Sequence, residues 1–307
     1  MQRTIKDYLV IGLKGMAMGA ADIVPGVSGG TIAFISGIYE ELLGSISAIK
    51  FSLVKQLKQE GIGPVWKAIN GNFLTALFFG IFISILSLAK GIKWLLENEP
   101  ILLWSFFFGL VFASIIYIIK QITAWRAGSY IGLILAAGLA YYITTLNPLV
   151  SENSSPLFLF ISGAFAICAM ILPGISGAFI LVLLGAYKPV LTAVNNRDFF
   201  TVAAVGLGAV VGLLSFSKIL KWFFKNYHNQ TLAALTGFII GSLNKIWPWK
   251  VTLTWRENSK GIKVPLQQES ISPFSFDGDS QLIWAIVFAI IGFVLILLLE
   301  RLAVSRK

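Results

Sequence analysis

Long apolar segments separated by short polar stretches dominate the chain. Ten such segments cover residues 5–23, 27–46, 72–89, 101–119, 129–146, 157–172, 174–192, 199–217, 231–246 and 281–300. Segments of this kind are typical of helices that cross a lipid bilayer, which need about 20 apolar residues each. The alternation of polar and apolar residues that marks a membrane β-barrel is missing from all of them. The pattern predicts an all-α polytopic membrane protein.

Two pairs of these segments are short and meet at a Pro-Gly dipeptide. The sequence PGVSGGTIAFISGIY at 25–39 returns as PGISGAFILVLLGAY at 173–187, and the second proline follows the first by 148 positions. We interpret each pair, 5–46 and 157–192, as a re-entrant helical hairpin that enters the membrane and returns to the same side. Two ordinary spans joined by a tight turn are the alternative. Both interpretations give an even number of crossings, so the sidedness of the other segments does not change.

The likeness between the two parts of the chain continues beyond the hairpins. At an offset of 128 positions, Gly80 matches Gly208 and Lys90 matches Lys218. Each repeat therefore contains one hairpin and three spans, and because three is odd, the second repeat must enter the membrane inverted. The first repeat covers 1–146, with spans 72–89, 101–119 and 129–146, and the second covers 147–307, with spans 199–217, 231–246 and 281–300. The sequence thus predicts two inverted-topology repeats.

The charges of the chain predict its orientation. The net charge is +10, from 24 Lys and Arg against 14 Asp and Glu. With the N-terminus in the cytoplasm, 14 cations fall in cytoplasmic segments and nine in external ones, four of these in the long loop at 247–280. The positive-inside rule therefore predicts that both termini are cytoplasmic. Because the same rule accounts for the basic composition, we predict no nucleic-acid partner.

The repeated Pro-Gly break predicts an anion site. Proline cannot continue a helix, and the serine that follows suits the first position of a new one. A helix start leaves backbone N–H groups unpaired at its electropositive end, and inside a bilayer these groups need an acceptor. Two such starts facing each other would bind a phosphate or a carboxylate, whereas a kink packed by glycines is the alternative. The candidate phosphate-binding residues are Pro25, Gly26, Ser28, Gly29, Gly30, Thr31, Pro173, Gly174, Ser176 and Gly177.

Charged and aromatic residues around the motifs are candidates for coupling or gating. Asp22 precedes Pro25 by three residues, and the matching position in the second repeat holds Met170. A carboxylate at membrane depth is costly and therefore a functional candidate; it would carry a coupling proton or lock the first hairpin by accepting backbone hydrogen bonds. Lys14 is a candidate counter-charge for it. The further candidates for coupling or gating are the residues at the hairpin exits, Tyr39, Glu40, Tyr187 and Lys188. The two tyrosines would line the site or anchor at the membrane interface. The two charged residues carry opposite signs at matching positions, and solvated helix ends are the alternative for them.

The sequence does not favour an enzyme. Both motifs contain G-x-S-G, the serine signature of rhomboid-type intramembrane proteases, but a nucleophilic serine needs a general base. His228 is the single histidine, and two serines cannot share it. One histidine and the single Cys168 also leave no ligand set for a metal ion and no internal disulfide. We therefore predict that the protein is not an enzyme and has no cofactor and no metal.

The two motifs carry a resemblance to a known family. GAADIVPGVSGGTIAFISGIYEELL (19–43) and AICAMILPGISGAFILVLLGAY (166–187) strongly resemble the PopT-type undecaprenyl-phosphate translocases of bacteria, formerly a membrane domain of unknown function. The resemblance covers nearly the whole chain. It implies a transporter of the plasma membrane that flips undecaprenyl phosphate from the outer to the inner leaflet. This lipid-carrier recycling would supply the synthesis of peptidoglycan and other cell-envelope polymers.

The implied substrate fits the site predicted from the residues. A polyprenyl phosphate would place its anionic head between the two helix starts, while its isoprenoid tail stays in lipid. A small-anion channel or exchanger would use the same helix starts and remains the alternative function. The sequence leaves open whether a proton or a sodium gradient drives transport, which polyprenyl phosphates are carried, and the oligomeric state.

Overall fold

The protein is mostly helical. A computed structural model describes residues 3–24, 27–50, 52–146, 155–257 and 263–304. The helices of the first part are α1 (Ile5–Ile23), α2 (Gly29–Ile35), α3 (Tyr39–Ser47), α4 (Ser52–Glu60), α5 (Ile62–Ala68), α6 (Gly71–Asn98), α7 (Pro100–Gln121) and α8 (Ala127–Thr145). The remaining elements are α9 (Pro156–Ile171), α10 (Gly177–Leu183), α11 (Tyr187–Asn195), α12 (Phe199–Asn226), α13 (His228–Ser242), a 3-10 turn (Leu243–Ile246), β1 (Lys250–Glu257), β2 (Lys263–Ser270), a second 3-10 turn (Pro273–Ser275) and α14 (Leu282–Val304).

Four helices are long and apolar enough to cross a membrane. These are α6, α7, α8 and α12, among the residues that the structure describes. Helices α6 and α12 have 28 residues each and continue nine residues past the spans that the sequence predicts at 72–89 and 199–217. At about 1.5 Å per residue they measure about 42 Å, longer than the hydrocarbon core of about 30 Å. The nine residues that follow each predicted span, which include Lys90 in α6 and Lys225 in α12, therefore extend toward the membrane surface.

The outer faces of these helices expose many large apolar side chains. On α6, Phe78, Phe79 and Phe82 are each more than half exposed, and so is Leu207 on α12. A soluble protein rarely exposes contiguous apolar areas of this size. Together with the long apolar helices, these faces identify the chain as a membrane protein of mostly helical structure.

The second segment of each predicted hairpin is broken, which corrects the sequence prediction of single helices at 27–46 and 174–192. Helix α2 ends before Gly37, and α10 ends before Gly185; both glycines have positive φ, +73° and +74°. Only glycine adopts this conformation without strain. The axis turns by 108° between α10 and α11. Because seven residues extend only about 10 Å, neither α2 nor α10 crosses a bilayer alone.

Helix pairs that the repeat relates make matching contacts. Gly80 of α6 lies so close to the Gly12 carbonyl of α1 that a Cβ would overlap it, and Gly208 of α12 lies in the same way against the Phe160 carbonyl of α9. These are equivalent positions at the offsets of 128 and 148. The packing of α7 on α14 likewise corresponds to that of α13 on α8. The contacts follow the predicted repeat, while its inverted orientation remains a prediction.

The segment 247–280 folds onto the helices, which its sequence does not predict. Strands β1 and β2 form an antiparallel hairpin. Trp249 is buried, and its Nε1 donates a hydrogen bond to the Ser280 carbonyl at 2.8 Å. The Trp247 Nε1 donates to the Ile271 carbonyl at 2.8 Å, and its ring meets that of Phe108 on α7 at 5.4 Å between centroids. The two tryptophans therefore fasten this segment to α7 and to the start of α14.

Candidate anion site between the two Pro-Gly motifs

The first motif starts a new helix at the serine, as the sequence predicts. Ser28 is the N-cap of α2, and its Oγ accepts a hydrogen bond from the Gly30 N–H at 3.1 Å. This bond satisfies one of the N–H groups that a helix start leaves unpaired. Pro25 and Gly26 lie outside the described residues, so their part in phosphate binding stays a prediction.

Two charged side chains of α1 hold the ends of α2. The Asp22 Oδ1 accepts a hydrogen bond from the Gly29 N–H at 2.7 Å, and the Lys14 Nζ donates to the Ser36 carbonyl at 2.6 Å. An anion at the start of a helix and a cation at its end both oppose the helix dipole and stabilise it. Lys14 therefore binds the end of α2, and its role as a counter-charge for Asp22 stays a prediction. Of the two roles predicted for Asp22, the backbone hydrogen bond is present, and proton coupling stays a prediction.

The two motifs touch each other directly. The Ser28 hydroxyl donates to the Met170 carbonyl at 3.0 Å, and the Gly174 N–H donates to Thr31 Oγ1 at 2.9 Å. Ser28 and Thr31 are each 1% exposed. Pro173, which lies between Met170 and Gly174 in the chain, is also buried. The structure thus brings residues of both motifs together, as the repeat predicts. Phosphate binding at this junction stays a prediction.

The junction is tightest at Gly30. A Cβ at this position would come within 2.6 Å of the Ile171 carbonyl oxygen and 2.7 Å of the Met170 carbonyl oxygen. A Cβ on the neighbouring Gly29 would similarly meet the Asp22 carboxylate. The sequence predicts that these glycines allow a ligand close to the backbone. In this conformation the groups close to them belong to the protein itself.

Tyr39 extends the contact between the motifs. Its hydroxyl donates to the Ile171 carbonyl at 3.1 Å, and the side chain is 2% exposed. Its ring packs edge-on against Phe34 and Phe224, with centroids 5.1 Å and 6.0 Å away. Tyr39 is thus buried between the two motifs, and its role in lining the site or in anchoring at the membrane interface stays a prediction. Tyr187, its counterpart, is half-buried at the start of α11.

The second motif is more open than the first. Ser176 stands at the N-cap position of α10, but its side chain forms no capping hydrogen bond. Ser176 is half-buried, Ala178 is exposed and Gly177 between them is buried. The positions that match the two charges of α1 hold Met170 and Ser162. The start of α10 therefore has neither the side-chain cap nor the counter-charge that closes α2.

The remaining candidates lie at the surface. The Glu40 Oε1 is 3.8 Å from the His228 Nδ1, with both side chains more than half exposed, and Lys188 is exposed as well. The gating roles of Glu40 and Lys188 stay predictions. Because His228 faces Glu40 while Ser28 bonds to backbone groups, the described residues contain no serine–histidine pair at the first motif. Nor do three His, Cys, Asp or Glu side chains gather as a possible metal site anywhere in the described ranges.

Comparison with protein-family models assigns residues 18–264, a range that includes both motifs, to a family described as undecaprenyl phosphate translocase-like. The chain belongs to this family. Two similar proteins are each named polyprenyl-phosphate transporter. The one from Vibrio cholerae is 52% identical over 301 residues, covering 97% of both chains. The one from Staphylococcus aureus is 34% identical over 253 residues, covering 77% of this translocase-like chain and 85% of its own. No solved structure matches this member of the translocase-like family.

Proposed function

We propose that this translocase-like protein carries polyprenyl phosphate from the outer to the inner leaflet of the bacterial plasma membrane, so that the lipid carrier is used again. The observation that carries the proposal is the direct contact between the two Pro-Gly motifs, which places helix starts from both parts of a membrane protein side by side. The substrate class comes from the two relatives, both named polyprenyl-phosphate transporter. Transport of this kind needs no catalytic residue, cofactor or metal.

The phosphate headgroup binds from the side of the second motif. The start of α10 lacks a side-chain cap, and Ser176 and Ala178 are accessible there. Backbone N–H groups at such an end, together with the helix dipole, favour an anion. The isoprenoid tail remains in lipid against the apolar outer faces of the long helices, so the protein has to surround only the headgroup.

Asp22 occupies the place at the start of α2 where the phosphate would make a second contact, with the first motif. Its carboxylate accepts the Gly29 N–H, the donor that a bound anion would use at the first motif. Protonation removes the negative charge from the carboxyl group and weakens this bond, which leaves Gly29 free to donate to the headgroup. Proton uptake at Asp22 is thereby linked to phosphate binding, and an inward proton gradient would drive the cycle.

The predicted inversion of the two repeats supplies a route for the headgroup. Two similar halves with opposite orientation can exchange conformations and so expose one site to either side of the membrane. The breaks at Gly37 and Gly185 are equivalent positions at which the returning legs change direction. We place the hinges of this exchange there.

A liposome assay tests the function. The purified protein is reconstituted with radiolabelled undecaprenyl phosphate, and a membrane-impermeant phosphatase is added outside to hydrolyse the accessible lipid. We expect the lipid of the inner leaflet to become accessible much faster than in protein-free liposomes. Equal rates with and without protein would refute transport. Chloride or phosphate flux without any lipid substrate would support the small-anion channel instead.

The two motif serines are expected to respond differently to alanine. Ser28→Ala removes two buried hydrogen bonds and should lower the free energy of unfolding by about 1–2 kcal/mol. Ser176→Ala removes no capping bond and should change stability by less than about 0.5 kcal/mol. If Ser176 binds phosphate, its loss should raise the Kd for undecaprenyl phosphate about five- to tenfold. Thermal unfolding and equilibrium binding of the same two variants measure these effects; an unchanged Kd for Ser176→Ala would exclude its hydroxyl from the site.

A further inference from the structure

Two lysines lie beside the second motif, and the sequence motifs give no sign of them. Lys245 belongs to the 3-10 turn after α13, and its Nζ is 4.5 Å from the ring centroid of Phe179, in the first turn of α10. Lys250 begins β1; its Nζ donates to the Lys245 carbonyl at 2.6 Å and lies 4.2 Å from the ring centroid of Trp104 on α7. The two cations therefore bridge the segment 247–280, α7 and the start of α10.

Within the described part of the chain, these lysines have no anionic partner. Both are half-buried, and no carboxylate lies within 4.0 Å of either ammonium group among the side chains that the structure describes. Burial and then the charge of Lys245 lower the pKa of Lys250 to about 7, and burial lowers the pKa of Lys245 as well. Adjacent half-buried cations are costly unless an anion joins them. Their surroundings thus favour a ligand that brings negative charge.

Lys245 also belongs to a segment that packs against the second motif. Lys245 follows Ser242 by three residues, and the Ser242 Oγ packs against Gly174 so tightly that a Cβ on this glycine would overlap it. The Lys245 ammonium contacts an aromatic face, whereas the Lys250 ammonium already donates to a carbonyl. Lys245 is therefore the more available of the two for a direct contact, and Lys250 adds charge behind it.

We propose that Lys245, supported by Lys250, binds the phosphate headgroup of polyprenyl phosphate as it arrives at the second motif. This proposal rests on the proposed function and adds a cationic contact to its site. The ligand class is a lipid phosphate monoester, because ammonium groups form charge-assisted hydrogen bonds with phosphate oxygens. Trp104 and Phe179 supply apolar faces for the first isoprene units. Both lysines lie on the side that the charge distribution predicts to be extracellular, where the lipid is collected.

Substitutions of Lys245 test this contact. We expect Lys245→Gln to raise the Kd for undecaprenyl phosphate in detergent micelles about tenfold or more, and Lys245→Arg to retain most of the affinity. The matched control is Lys90→Gln, which removes an exposed cation in the C-terminal part of α6 on the same predicted side and should leave the Kd unchanged. A wild-type Kd for Lys245→Gln would overturn the proposal.

A second experiment uses the wild-type protein and does not depend on how variants fold. Lysines are acetylated with an amine-reactive ester, and modification at each site is quantified by mass spectrometry with undecaprenyl phosphate or with the neutral undecaprenol. We expect the phosphate lipid to slow modification of Lys245 and Lys250 several-fold and that of Lys90 not at all. Equal modification with both lipids would overturn the proposal.

The liposome assay and the binding measurement together separate this inference from the function on which it rests. If the wild type moves undecaprenyl phosphate in liposomes while Lys245→Gln binds it normally, the lysine contact alone fails. If the wild type neither binds nor moves the lipid, the proposed function fails and the lysine contact fails with it.

Discussion

Gly30→Ala is expected to abolish transport and to lower the melting temperature, although alanine is the better helix former. In a helix with free space, the change from glycine to alanine stabilises by about 1 kcal/mol. At Gly30 the added Cβ would lie 2.6 Å from the Ile171 carbonyl oxygen, so the two motifs would have to separate. Overpacking of this kind costs about 1–3 kcal/mol. Thermal unfolding and the liposome assay measure both effects.

The control for this prediction is Gly206→Ala in α12. Among the described residues, no atom beyond the adjacent turns of α12 lies within 4 Å of the position of its Cβ, so only the gain in helix propensity remains. Its melting temperature should equal or exceed that of the wild type, and transport should continue. A Gly30→Ala protein as stable and active as Gly206→Ala would show that the junction between the motifs is not packed as described.

Asp22→Asn is expected to uncouple transport from the proton gradient. Asparagine keeps an oxygen that accepts the Gly29 N–H, but it cannot take up a proton. Each pH unit of gradient supplies about 1.4 kcal/mol per proton, equivalent to about tenfold in lipid distribution. In liposomes with an imposed pH gradient, the wild type should accumulate the lipid in one leaflet. The variant should only equilibrate it between the leaflets.

Asp198→Asn is the matched control for Asp22. Asp198 also caps a helix, since its carboxylate accepts hydrogen bonds from the Thr201 N–H at 3.2 Å and the Thr201 hydroxyl at 2.6 Å. It lies at the surface at the start of α12, outside both motifs, so its replacement should leave gradient-driven transport intact. If Asp22→Asn still responds to the pH gradient, Asp22 serves only as a cap, and a sodium gradient becomes the next to test.

The helix boundaries at the motifs were predictable because they are decided locally. Proline and a capping serine act on their own neighbours, and α2 begins directly after Ser28. The bends at Gly37 and Gly185 were missed, although both glycines belong to the repeated sequences. A glycine in an apolar run is compatible with a continuous helix, and only the packing of the following turn makes it a bend.

The candidate site was predicted in part. The repeat was enough to bring Ser28 and Thr31 together with the second motif, because similar halves place equivalent breaks near a common axis. Lys245 and the partner of Lys14 could not be predicted from the sequence. Both depend on contacts between residues distant in the chain. The surroundings of Lys245 also depend on the way the segment 247–280 folds against α7.

The two hairpins, alike in sequence, are not interchangeable parts. Asp22 and Lys14 of α1 form hydrogen bonds with the two ends of α2. The start of α10 has no side-chain cap, and uncharged residues occupy the equivalent positions on α9. We therefore expect α2 to keep its position during transport and α10 to adjust to the bound lipid. Engineering that aims at a new lipid preference should begin with residues 156–195 and leave residues 5–46 unchanged.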